Sequence, residues 1–358
     1  MNVKLLRLTN LLIVSAIILS ACAPSAPSFP ARTVTVLVGS GKDQAELAAF
    51  FPPSIRVRAG DTVNFKLNSD DPHTVTFTGP NPPPTFVVLA PGSPPPGPTT
   101  PPTLIVNPDI ANEVKPAGAY DGKSYVNSGI LTRIADMVPD ASLKDSFSMT
   151  FDKPGVYQFM CSIHPFMQGV IEVTDKSVAD VPPPEAISGQ AQGMIGAFSK
   201  AQDGAKKMAA EGAKEPGPNN STIFYVQAGF VDLDSGNPAT EYQDFSPKQV
   251  TLKAGDSVQW TSQGFHVVTF NPKPPDPKWE SAKKQGDKTF YYLNLDVFGP
   301  SKPSGTFDAT KFFNSGPIGP GNDRAGWLLT FDKPGTYDYF CAIHKPLGMK
   351  GTVVVQPK

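Results

Sequence analysis

The sequence predicts an all-β chain made of two β-sandwich domains in tandem. Three observations carry this: three sequence blocks recur in the same order in both halves, apolar and polar residues alternate along short runs, and turns containing Gly or Pro separate those runs. At 358 residues, with 39% hydrophobic residues and 40 prolines, the chain suits two medium domains with proline-rich connections better than one large core. The formal net charge of -1 offers no broad basic surface to neutralise phosphates, which argues against nucleic acid as a partner.

At the N-terminus, Lys4 and Arg7 precede an apolar run from Leu11 to Leu19 that ends on small residues and a cysteine, the order of an export signal. The run is shorter than the about 20 residues of a permanent membrane helix. Leu19-Ser20-Ala21-Cys22 resembles a bacterial lipobox. That resemblance implies removal of residues 1–21, lipidation of Cys22 as a membrane anchor, and a flexible tether over residues 22–32. An ordinary secretory signal with an incidental cysteine is the alternative.

The repeat places domains at residues 33–176 and 220–358. Its first block, Ile55 to Val63 with Ala59-Gly60-Asp61, matches Val250 to Val258 with Ala254-Gly255-Asp256, and a histidine follows each, His73 and His266. The second block is Asn127-Ser128-Gly129, matched by Asn314-Ser315-Gly316. The third runs from Thr150-Phe151-Asp152-Lys153-Pro154-Gly155 to Cys161 and His164, matched by Thr330 to Gly335, Cys341 and His344. Ile55 and Val57, then Val63, Phe65 and Leu67, show the period-2 pattern of half-buried strands. Gly60 and Gly255 are expected at tight hairpin turns, and Gly155 and Gly335 at the positive-φ position of Pro-Gly turns.

Two kinds of segment break the pattern. Residues 79–102 are so rich in proline that a central strand is excluded and a long loop or polyproline II segment is expected, with a milder version at residues 272–277. The linker, residues 177–219, reads as partly helical. Ile187, Met194, Ile195, Phe198 and Met208 fall on one helical face and suit a docking helix, whereas the interior glycines suit a solvated spacer.

With Cys22 assigned to lipid, the remaining cysteines and all four histidines divide evenly between the repeats: His73, Cys161, His164 and His266, Cys341, His344. A methionine follows each set, Met167 and Met349, two residues before a glycine that opens the last strand. One thiolate and two imidazoles with a weak thioether on the axis form the ligand field of blue (type 1) copper. Structural zinc sites are usually closed by four Cys or His ligands without thioether. A disulfide between Cys161 and Cys341 would explain neither the histidines nor the methionines.

These residues identify the chain as similar to two members of the plastocyanin and amicyanin branch of the cupredoxins. The segment from Tyr337 to Gly351 resembles plastocyanin, and the shorter loop Cys161-Ser162-Ile163-His164-Pro165-Phe166-Met167 resembles amicyanin. The resemblance implies Greek-key cupredoxin sandwiches, each holding one copper ion that cycles between Cu(I) and Cu(II). It implies the ligands His73, Cys161, His164 and Met167 in one domain and His266, Cys341, His344 and Met349 in the other. Thr74 and Val267 stand where the family usually has the asparagine that braces the site, and Met160 and Phe340 replace a tyrosine often found before the cysteine.

The implied function is electron transfer with redox partner proteins of the cell envelope, the electron passing through His164 or His344 near the surface. Copper sequestration or delivery is the alternative. A copper enzyme of the multicopper oxidase or nitrite reductase type needs further histidines, and none is left over.

Overall fold

The computed structural model describes residues 28–94, 101–138, 143–164, 166–209, 212–232, 240–271, 278–298, 305–319 and 326–358. The export signal, Cys22, the start of the tether, Pro165 and the proline segment 272–277 lie outside the described residues.

Each half is a β-sandwich, and the two halves repeat one another strand for strand. One layer of the first sandwich orders the strands Ser146–Thr150, Thr62–Leu67, Thr33–Lys42 and Ala45–Phe51; the second sandwich continues with Thr240–Ser246, Thr222–Asp232, Asp256–Ser262 and Trp327–Phe331. These strands form one continuous sheet, because Ala45–Phe51 pairs antiparallel with Thr240–Ser246 in the register Leu47 to Thr240, Glu46 to Glu241 and Ala45 to Tyr242. The opposite layers stay separate. One runs Ser54–Arg58, Gln168–Thr174, Gly155–Met160, Thr76–Phe77, Val126–Ser128, and the other Gln249–Lys253, Lys350–Gln356, Gly335–Phe340, Thr269–Phe270, Phe313–Asn314.

Alternation along the strands fills both cores. Val34, Val36, Val63, Phe65, Phe77, Phe159 and Ile171 are buried in the first, and Val226, Val258, Trp260, Phe270, Leu329, Tyr339 and Val353 in the second. Gly60 and Gly255 both have φ near +96°, but the strands on either side belong to different layers. Each is therefore a corner between the two layers and not the expected hairpin. The aspartate after the glycine fixes that corner: Asp61 accepts from the amides of Arg58 at 2.9 Å and Arg32 at 2.8 Å, and Asp256 from those of Lys253 at 2.9 Å and Thr222 at 2.8 Å.

Gly155 and Gly335 depart from expectation as well. They open their strands and are not among the positive-φ glycines. A Cβ on Gly335 would crowd the Tyr337 hydroxyl at 2.7 Å, whereas one on Gly155 would make only ordinary contact with Tyr157 at 3.4 Å.

The two insertions meet each other. Val87–Leu89, an edge strand inside the proline-rich stretch, pairs with Leu104–Val106, which pairs in turn with Lys288–Leu293 of the other half. Between the sandwiches, Pro184–Ala209 forms a helix. Ile187 and Ala191 on it are buried, and Met194, Ile195 and Phe198 pack with Leu47 and Phe51; the side chain of Met208 lies outside the described residues.

Candidate metal centres

Two clusters of metal-binding side chains form, one per sandwich, at the end where the last two strands meet. Cys161 follows the strand Gly155–Met160, and its amide donates to the carbonyl of Met167 at 2.9 Å, closing the loop that carries His164. In the second sandwich the Cys341 amide donates to the Met349 carbonyl at 3.2 Å around His344.

The first histidine of each set arrives from another strand, and the short Asn-Ser-Gly block holds it there. His73 exchanges backbone hydrogen bonds with Leu131, and His266 does so with Ile318. Two residues on, the Val75 amide donates to Ser128 Oγ and the Val268 amide to Ser315 Oγ, both at 2.8 Å. Gly129 and Gly316 then turn the chain with φ of 69° and 63°. The second block thus positions the site without touching it.

In the first cluster His73 Nδ1 and His164 Nδ1 are 3.1 Å apart, and each lies 3.8 Å from Cys161 Sγ. In the second, His266 Nδ1 and His344 Nδ1 are 3.0 Å apart, at 3.9 and 3.5 Å from Cys341 Sγ. Nitrogen and thiolate ligands at about 2.0 and 2.3 Å from one ion come to lie between 3 and 4 Å from each other, so both triangles fit a single bound metal. Met167 and Met349 are buried in the same core clusters as the respective cysteines. Both cysteines are free thiols, which rules out the disulfide between them.

The surroundings of the two triangles differ. Around the first, His73 Nε2 meets Glu46 Oε1 at 3.0 Å and His164 Nε2 meets Asp71 Oδ2 at 3.2 Å. Glu46 also accepts from Ser69. Thr74 braces the sulfur in the role expected of an asparagine: its amide lies 3.3 Å and its hydroxyl 3.8 Å from Cys161 Sγ, and the same oxygen accepts from the Ser162 amide at 2.7 Å. At the second site Val267 offers only its backbone amide to Cys341. Among the described residues no carboxylate lies within ion-pair distance of His266 or His344.

Charge follows these contacts. Burial resists it, but the hydrogen bonds of Cys161 and Glu46 lift His73 to about 9, and those of Asp71 and Cys161 lift His164 well above its ordinary value. Burial would also raise Cys161, yet His164 and His73 hold it well below the usual thiol range. At the second site burial prevails. It pushes Cys341 up, His266 well down, and His344 down to about 4 against the pull of Asp71. Identical ligand types therefore sit in one pocket that favours positive charge and in another that disfavours it.

Both second histidines, expected near the surface, are largely covered. The His164 side chain is 13% exposed and His344 is 9% exposed. The two ligand loops are turned inward, with Ile163 and Leu347 in one apolar cluster shared by both halves and Gln44 donating to the Leu347 carbonyl at 2.7 Å. Glu46 and Asp71 escaped the sequence reading. Asp71 lies two residues before His73, and that spacing alone carried a weak signal; Glu46 gave none.

Comparison with known proteins agrees with this geometry. A family model described as copper binding proteins of the plastocyanin/azurin family matches residues 35–174 and 235–356. Plastocyanin of Scenedesmus fuscus is 32% identical over 114 residues, covering 31% of this chain and 86% of the relative. Plastocyanin of Nostoc punctiforme is 28% identical over 149 residues, covering 38% and 88%. Among solved structures, amicyanin of Paracoccus versutus aligns at 18% identity with a TM-score of 0.22, over 41% of this chain and 85% of amicyanin. With both halves matched, one cysteine-histidine cluster in each, the chain belongs to the plastocyanin/azurin family of copper-binding proteins.

Proposed function

We propose that this chain is an exported electron carrier, not an enzyme, with one type 1 copper in each of its two domains, residues 33–176 and 220–358. The observation that carries the reading is the paired His-Cys-His triangle, whose donor atoms lie within 4.8 Å of one another in both halves. His73, Cys161, His164 and Met167 are the proposed ligands of one ion, and His266, Cys341, His344 and Met349 those of the other. Copper, when bound, supplies a Cu(I)/Cu(II) couple at each site.

The chain's own residues do the rest. Each cysteine would bind the ion as thiolate, each histidine turns Nδ1 inward, and at the first site Glu46 and Asp71 fix both imidazoles through Nε2. The buried walls exclude water and keep the ligands in one arrangement for both oxidation states, so little has to move when an electron arrives. Cleavage before Cys22 and lipidation of it would hold the carrier on the bacterial membrane, on residues 22–32 as tether, within reach of redox partner proteins of the cell envelope.

The test is copper content and visible spectroscopy on the purified mature chain. Two coppers per chain are expected, with strong thiolate-to-copper absorption and reversible one-electron reduction at each. Either Cys161→Ser or Cys341→Ser should leave one copper. Unchanged stoichiometry in both variants would overturn the ligand assignment, and tight Cu(I) binding without a stable Cu(II) form would point to sequestration or delivery instead.

A further inference from the structure

We infer that the two sites form one directional relay, in which electrons pass from the first-domain site to the second-domain site across the interface between the sandwiches. The inference rests on the copper reading above and adds direction and route.

Direction comes from the unequal placement of carboxylates. Glu46 and Asp71 lie 3.0 and 3.2 Å from the outer nitrogens of the two histidines of the first cluster. Both are buried, with exposures of 2% and 5%. The oxidised form of a site carries one more positive charge than the reduced form, so nearby buried negative charge stabilises oxidation. Glu46 and Asp71 thus favour Cu(II) in the first site. The second site has no carboxylate at such a distance among the described residues, and although Asp71 acts on its histidines from across the interface, burial prevails and favours Cu(I).

Route comes from the inward turn of the ligand loops. Ile163, between Cys161 and His164, shares an apolar cluster with Leu347, between His344 and Met349. Gln44 of the first sandwich hydrogen-bonds the Leu347 carbonyl. Asp71, in contact with His164, is near enough to act electrostatically on His344, as is His164 itself. The step moves one electron: Cu(I) in the first site becomes Cu(II) while Cu(II) in the second becomes Cu(I). No bond is made or broken, and no proton has to move.

The experiment uses the full mature chain and its Cys161→Ser and Cys341→Ser variants, loaded with copper and titrated by spectroelectrochemistry. The first site, alone in Cys341→Ser, should be the more readily oxidised. In the two-copper protein a single reducing equivalent should reside on the second site by at least about tenfold. Asp71→Asn, which keeps the shape of the side chain, should shrink that ratio. Fully oxidised protein should show dipolar broadening of the Cu(II) resonance that either single-site variant lacks.

Equal or reversed midpoints, an Asp71→Asn variant with unchanged distribution, or a broadening-free two-copper spectrum would each overturn the relay while leaving two blue sites intact. Loss of blue absorption from both single-site variants would instead remove the copper reading, and the relay with it.

Discussion

Gly39 and Gly229 show how closely single residues control these centres. Both have positive φ, 65° and 70°. A Cβ on Gly39 would stand 2.6 Å from both His73 Nε2 and Glu46 Oε1, and one on Gly229 only 2.0 Å from His266 Nε2. The backbone passes directly beneath the first histidine of each set, so only glycine leaves the imidazole its place. Gly229→Ala should displace His266 and cost roughly 2 kcal/mol or more from left-handed backbone and overpacking together. Copper content falling from two to one, with the first-site spectrum unchanged, would mark the effect as local. The two His-Cys-His clusters were legible because duplication put every histidine at a matched position. These glycines were not, since nothing within ten residues of them bears a ligand and only the layer topology brings them beneath one.

Among the elements, the seam between Ala45–Phe51 and Thr240–Ser246 carries the sharpest conflict. It sets Glu46 and Glu241 opposite each other on paired strands, both buried. Like charges so placed repel. Glu46 finds His73 and Ser69, while burial, reinforced by Asp71 and Glu46 and only partly offset by His164 and His73, pushes Glu241 up to about 7 from an ordinary 4.5. A carboxyl raised in the folded state retains its proton where the unfolded chain has lost it, so the native protein binds more protons between pH 4.5 and 7 and loses stability as pH rises through that window. The full shift corresponds to at most about 3 kcal/mol. Glu241→Gln should therefore leave copper-free stability nearly unchanged at pH 4 and raise it by about 1–3 kcal/mol at pH 8. Denaturant titrations at the two pH values decide this, and an equal effect at both would exclude the charge conflict. Strand identity was readable from alternation, and sandwich class from the turns. Which strand edge would be covered was not, because Ala45–Phe51 has the same apolar pattern whether its edge meets water or a second sheet.

At the scale of the whole molecule, the sandwiches share more than a linker. One sheet runs through both, the insertions build a second joint sheet, and a common cluster gathers Val106, Ile130 and Met137 with Tyr291, Leu293 and Leu347. Polar contacts cross the same boundary: Asn112 exchanges hydrogen bonds with Thr289 at 3.0 and 2.8 Å, and Trp279 donates to the Met137 carbonyl at 3.2 Å. Domains within one chain usually meet over modest, mobile surfaces and unfold separately. Here separation would strand two sheet edges and expose the cluster, so the copper-free chain should melt in one calorimetric transition. The coupling has a sharper consequence when only the second site can bind. In Cys161→Ser, metal at 100 times its dissociation constant stabilises the folded state by about 2.7 kcal/mol. In a single cooperative unit that stabilisation reaches the first sandwich, and amides of Val36 and Phe65, buried in its core, should exchange about a hundredfold more slowly with hydrogen than in the copper-free variant. Exchange there that ignores copper would mean the sheet parts at the Glu46 and Glu241 seam before either core opens.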